Sequence, residues 1–184
     1  MGAVSFLGID QSLNATGVCR MNDAGSVEAL ATVNPGDAKD GSRLLLVKRA
    51  VAAIASGIAF AALEGYSYDS VGRVFELGEI GGVVKVLLLE SNIPYVVVPP
   101  SMLKKFATGN SSASKEDMVD AAKERGCMTT DDNQADAFFL ACIARAYTKG
   151  TARYRCEMDV LHALKNPTPK KTRRRVRRLV KAAI

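Results

Sequence analysis

The sequence predicts an α/β protein: a mixed five-stranded sheet with helices on both faces. Three observations predict it. Three strand-like runs come first, close together, within residues 3–33. Helical and strand-like patterns then alternate, so helical crossovers join the later strands. One of those later strands, Ile58 to Glu64, is apolar on both faces, as a central strand covered by two layers must be.

The elements follow in order. Residues 3–10 form an apolar run ending in Asp10 and read as a buried strand. Thr16 to Met21 and Ser26 to Val33 are two more strands, with Asn22-Asp23-Ala24-Gly25 as the turn between them. The first three strands thus make an antiparallel meander. Ser42 to Ile54 has helical spacing, with Ser42 as the expected N-cap and Gly57 after its end. Ile58 to Glu64 is the fourth strand. Val71 to Glu90 is a long helix holding Gly78, Gly81 and Gly82, each of which lowers helix propensity by roughly 1 kcal/mol. Three such residues in one helix predict close approach of another backbone. Pro94 to Val98 is the fifth strand, stopped by Pro99-Pro100.

Ser101 to Phe106 is a short helical segment, and Thr108 to Ser114 a polar loop. A helix starts at Ser114-Lys115-Glu116-Asp117 and runs to Arg125, ended by Gly126. Ala135 to Lys149 is the last core helix, and residues 151–164 fit one more. Asn166-Pro167-Thr168-Pro169 breaks the chain before a basic run. The organisation expected is a globular domain over residues 1–150 and a C-terminal extension over 151–184.

Charge and composition narrow the function classes. The net charge of +6 comes from the end of the chain: residues 165–184 hold nine Lys/Arg and no acid, and the remainder holds 16 basic against 19 acidic residues. A basic tail of this kind meets nucleic acid or another anionic surface. No apolar run approaches the roughly 20 residues of a membrane span. The N-terminus has no basic stretch leading into a long apolar core, so no signal peptide is expected. The four cysteines show no CxxC spacing and the one histidine is His162, which argues against zinc. Scattered single thiols fit a reducing, cytoplasmic setting.

Four carboxylates carry the chemistry. Asp10 and Glu64 end two apolar runs, and Asp132 and Asp136 open the apolar helix Ala137-Phe138-Phe139-Leu140-Ala141. A lone carboxylate so placed loses solvation, at a cost of several kcal/mol, or shifts its pKa strongly. Several together repel one another unless a divalent cation lies between them. Oxygen ligands with no thiol or imidazole nearby suit Mg²⁺ or Mn²⁺. The pattern points to a metal-dependent enzyme acting on phosphate.

The segment Gly8-Ile9-Asp10-Gln11-Ser12-Leu13-Asn14-Ala15-Thr16-Gly17 resembles the opening motif of RuvC-type Holliday junction resolvases, in the ribonuclease H-like superfamily. Leu63-Glu64-Gly65-Tyr66 resembles that family's second acidic motif, and Asp132-Asn133-Gln134-Ala135-Asp136-Ala137 its third. Order and spacing agree over residues 3–148. The resemblance implies a ribonuclease H-like fold, cleavage of four-way branched DNA, a symmetric homodimer and two Mg²⁺ per active site, with Mn²⁺ able to substitute. It implies that Asp10 bridges the ions while Glu64 and Asp136 complete their shells with Asp132 in support. One departure stands out. The family's last two ligands lie three residues apart, but the residue three before Asp136 is Asn133, and Asp132 lies four before. Positions three and four back share one helix face, so either Asp132 or Asn133 fits the fourth ligand. Asp131, five back, falls off that face.

The resemblance also implies DNA contacts. Lys104 and Lys115 flank the 108–114 loop as two family lysines near the scissile phosphate do. Ser12, Ser111, Ser112 and Ser114 offer hydroxyls and N–H groups of the kind that meet phosphates. The family stacks an aromatic residue on a junction base where this chain has Ser67, which leaves Tyr66 or Tyr68 for that role and Arg73 beside them. The tail adds Lys170, Lys171, Arg173, Arg174, Arg175, Arg177 and Arg178, outside the region of resemblance. Two other readings keep the same fold: a nuclease of flap or RNA-containing substrates, and a non-catalytic junction-binding protein. A sugar-kinase or actin-type ATPase shares the strand-end Gly-x-Asp but needs two such lobes, and 184 residues supply one.

Overall fold

The computed structural model describes residues 4–66 and 74–167. Its elements run β1 (Ser5–Asp10), β2 (Thr16–Asn22), β3 (Val27–Val33), α1 (Asp40–Ile54), β4 (Ile58–Glu64), α2 (Val74–Glu90), β5 (Tyr95–Val98), α3 (Pro100–Thr108), α4 (Lys115–Glu124), α5 (Asp132–Lys149) and α6 (Arg155–Lys165). The sheet order is β3-β2-β1-β4-β5. β1, β2 and β3 pair antiparallel, while β1, β4 and β5 pair parallel. This is the mixed five-stranded sheet expected. β1 takes the middle, and β4 lies between it and β5.

Strand alternation divides the core in two. Leu7 and Ile9 on β1, with Ala61 and Leu63 on β4, pack under α1 and α2 against Val47, Val51, Ile80, Val84 and Leu88. Phe6 and Ala62 face the other way, toward α5, α3 and α4. Burying each large side chain there, such as Phe139 or Leu140, contributes about 1.5–3 kcal/mol.

α5 lies across β1, β2 and β4 with its backbone almost on the sheet. A Cβ at Gly8 would overlap the Ala137 carbonyl and the Ala141 nitrogen, and one at Gly17 would overlap the Asn133 carbonyl. Gly17 pairs with Asp10 in the β1–β2 register. The first turn of α5 is thereby seated beside Asp10.

α6 extends the same core, burying Val160 and Leu161. Glu157 on α6 is buried and pairs with Arg125, at the end of α4, at 2.7 Å. The Arg125 guanidinium also faces the rings of Phe106, Phe139 and Tyr154.

Two local expectations change. α1 begins at Asp40 with Lys39 as its N-cap, so Ser42 is not the cap. The Ser42 hydroxyl instead donates back to the Lys39 carbonyl at 2.6 Å, the local bond that serine makes inside a first turn. The glycines of α2 also differ in use. Gly81 faces this chain's own Tyr66 and Gln11, whereas Gly78 and Gly82 meet open space.

Candidate active site

Asp10 and Glu64 end adjacent parallel strands, one residue past the last backbone pair, Ile9 with Leu63. By strand alternation Asp10 shares a face with Phe6 and Gly8, and Glu64 with Ala62. That face carries α5. Asp136 comes down from the first turns of α5, so three separate elements bring three carboxylates together.

Their protonation behaviour reports that proximity. Asp10 is 5% exposed, and its pKa lies well above the ordinary carboxylate value. Burial is the main cause, followed by the charge and hydrogen bond of Glu64 and by the charges of Asp136 and Asp132. Glu64 is also raised by burial, with the shared hydrogen bond to Asp10 and the charge of Lys104 pulling the other way. Asp136 is pushed up to about 7 by burial and by the charges of Glu64 and Asp132, against Lys104 and Lys115.

The start of α5 separates two roles among neighbouring acids. Asp131 is the N-cap, and its Oδ1 accepts the backbone N–H of Asn133 at 2.9 Å. Thr32 on β3 donates to the other oxygen of Asp131 at 2.5 Å. These hydrogen bonds outweigh partial burial and lower the Asp131 pKa. Asp132 pairs with Lys115 at the start of α4. Asn133 turns its amide nitrogen to Asp131 at 3.0 Å and to Asp132 at 3.4 Å.

The donor set is oxygen only, the chemistry of a hard divalent cation. Like charges at such burial are relieved either by protonation or by a counter-cation. Among the described residues, no group of three acid, thiol or imidazole side chains is drawn up in ligating geometry around one point. The donor chemistry fits Mg²⁺ or Mn²⁺, while Lys115 and Lys104 supply positive charge at the rim.

The other expected residues are distributed as follows. Lys104 is half-buried near Glu64 and Asp136, and Lys115 is exposed on Asp132. Ser12 lies in the turn after Asp10 and accepts from the Asn14 N–H at 3.4 Å. Ser114 is committed to a capping box, exchanging bonds with Asp117 at 3.1 and 2.8 Å. Ser111 and Ser112 are exposed. Tyr66 packs against α2: its hydroxyl fills the notch that a Cβ at Gly81 would occupy, and the Lys85 ammonium lies 5.0 Å from its ring centre. Ser67, Tyr68, Arg73, Lys170, Lys171, Arg173, Arg174, Arg175, Arg177 and Arg178 lie outside the described residues.

Sequence reasoning missed two residues, one exposed on α2 and one at the site. Phe75 in the first turn of α2 is 89% exposed, an aromatic face that its sequence setting had concealed inside a helix. Gln11 is buried directly behind Asp10 and Glu64. Its place immediately after the strand-end acid was the available signal.

No family model and no curated protein matches this sequence. Solved structures do. RuvC of Thermus thermophilus aligns with a TM-score of 0.64 at 18% identity, covering 81% of this chain and 98% of that one. The T. thermophilus RuvC structure in complex with Holliday junction substrate aligns with a TM-score of 0.65 at the same identity and coverage. This chain has the α/β, ribonuclease H-like fold of those RuvC structures.

Proposed function

We propose that this chain is a divalent-metal-dependent endonuclease that resolves four-way DNA junctions by paired symmetric cuts, acting as a homodimer. The observation that carries the reading is the convergence of Asp10, Glu64 and Asp136 from β1, β4 and α5, with burial and mutual charge raising the pKa of Asp10 and Asp136. The solved T. thermophilus RuvC complex with Holliday junction substrate supports branched DNA as the substrate class.

In this reading Asp10, Glu64, Asp136 and Asp132 hold two Mg²⁺ ions, or Mn²⁺ in their place. Metal held by these carboxylates would supply activation of the attacking water and stabilisation of the leaving 3′-oxygen. Strand ends and the first turns of a long helix hold the carboxylates before substrate arrives, so little reorganisation accompanies binding. Lys104 and Lys115 set two positive charges beside the acids, where a scissile phosphate accepts charge-assisted bonds. Ser12 presents its hydroxyl just beyond Asp10. Phe75 offers an exposed ring to an unpaired base, a contact worth about 1–3 kcal/mol. Tyr66 would have to leave Gly81 to do the same.

The nuclease unit is assigned to residues 1–150, and DNA-arm contacts to the basic tail in the extension 151–184. The second copy is assigned to the outer face of α2 with α1. Val86 and Leu89 on α2 are exposed, and Val86 borders a shallow apolar groove of about 410 Å³ lined also by Leu44, Gly82 and Val83. No helix among the described residues is long and apolar enough to cross a membrane. Four free thiols, two of them buried, fit a reducing cytoplasm.

Cleavage of a synthetic four-way junction, compared with a flap and an RNA–DNA hybrid, tests the reading. Paired cuts in the junction with Mg²⁺, and none with chelator, are expected. Preference for the flap or hybrid would move the assignment to another nuclease. Junction binding without cleavage in either metal would make the protein a binding module.

A further inference from the structure

Backbone pairing between β1 and β4 stops at Ile9 and Leu63, one residue before both strand-end acids. The strands are nevertheless joined one step further, by a side chain. Gln11, 7% exposed, donates its Nε2 to the backbone carbonyl of Glu64 at 2.7 Å. An amide side chain thus takes the place of the next rung of the ladder. Its other end faces α2. Oε1 is buried with no donor, 3.0 Å from where a Cβ at Gly81 would stand, in the notch that the Tyr66 hydroxyl also enters. Reversing the amide would set two acceptors against each other at Glu64, so the carbonyl fixes its orientation.

We propose that Gln11 is a positioning residue that sets the separation of the Asp10 and Glu64 carboxylates. The amide satisfies the Glu64 carbonyl at the cost of leaving its own Oε1 without a donor. The bond also falls on the main chain of Glu64 itself, where it restrains the peptide that carries the carboxylate. Asp10 is the residue immediately before Gln11, so one amide fixes both acids. α2 holds the amide from behind, through the space at Gly81. The consequence for catalysis rests on the nuclease reading; the restraint on the strand ends does not.

The test uses the full-length chain and Gln11→Met, which keeps the length of the side chain and removes the donor. Three quantities are measured well below the melting temperature. They are Mn²⁺ binding by the electron paramagnetic resonance of the free ion, kcat and KM on a four-way junction, and hydrogen exchange at the amides of Glu64 and Gly65. Faster exchange at those amides is expected, with Mn²⁺ affinity and kcat each lowered about tenfold or more and KM unchanged. Gln11→Leu, which also lacks the donor, carries the same test if Gln11→Met does not fold. Unchanged exchange at Glu64 and Gly65 would overturn the inference. So would faster exchange accompanied by wild-type Mn²⁺ affinity and kcat. If the wild type neither binds Mn²⁺ nor cuts, yet Gln11→Met frees those amides, the restraint stands and the nuclease reading falls.

Discussion

Asp131 caps α5 while Asp132, the next residue, turns to Lys115. Two adjacent carboxylates are thereby given different work. Asp131 satisfies the open N–H groups of the helix that carries Asp136, and Thr32 ties it to β3. Asp132 is left facing the other acids. Asp131→Ala should lower stability by about 1 kcal/mol, the usual loss for an N-cap, and Asp131→Asn should lose less. Denaturant melts of both variants check this. Asp132→Asn should leave the melt nearly unchanged, because the cap does not depend on it.

Asp10→Asn or Glu64→Gln should abolish cleavage and leave junction binding nearly intact. Without metal, either variant should melt at or above the wild-type temperature, since a buried like charge is gone. Cleavage within tenfold of wild type in Mg²⁺ by either variant would end the metal-site assignment.

Metal-free stability should fall as pH rises from about 4 through about 7. Asp10, Glu64 and Asp136 all have folded pKa values above their ordinary ones, so the folded chain binds more protons than the unfolded chain across that range. Stability is full below the unfolded values and is lost as each folded value is passed, at about 7 for Asp136. Thermal melts against pH with chelator present should show the fall, and Asp136→Asn should remove the part of it centred near pH 7. Saturating Mg²⁺ should flatten the profile by favouring the ionised forms.

Sedimentation at micromolar concentration should report about twice the 19.6 kDa of one chain. Val86→Glu with Leu89→Glu, on the exposed side of α2, should give a folded monomer. A wild-type monomer that still makes paired symmetric cuts would contradict the dimer.

Truncation after Pro167 removes eight Lys/Arg and leaves 17 basic against 19 acidic residues, with α6 and its Lys165–Tyr147 contact intact. Junction affinity should weaken without regard to sequence. The slope of log affinity against log salt should flatten by about 0.9 for each phosphate that the shortened chain leaves unneutralised. Cleavage at saturating junction should change little. Equal salt slopes for the two chains would show that the tail does not touch DNA.

The strand-end acids were legible because alternation is a local property. An apolar run ending in Asp10 or Glu64 announces both the strand and the face its last residue takes. The five strands and the helices after them followed from the same periodicities. What local pattern does not contain is the partner. Asp131 becomes the cap because Thr32, 99 residues earlier, reaches it across the sheet. Tyr66 turns inward because Gly81 leaves room for it, so three glycines that read alike in one helix serve different surroundings. Gln11 gains its meaning only when β1 and β4 lie side by side.

Gly8 and Gly17 act as a gauge for the carboxylate site without belonging to it. Each leaves out one carbon beneath α5, and the helix carrying Asp136 rests at the height those omissions allow. The spacing between the acid on the helix and those on the strands is therefore written partly in hydrogen atoms on the sheet, at residues with no chemistry of their own. Sequence drift can keep every carboxylate and still change the gap, by thickening the floor under one helix. If the proposed metal reading holds, such a scaffold can be retuned toward a larger or smaller cation from underneath, with every carboxylate untouched.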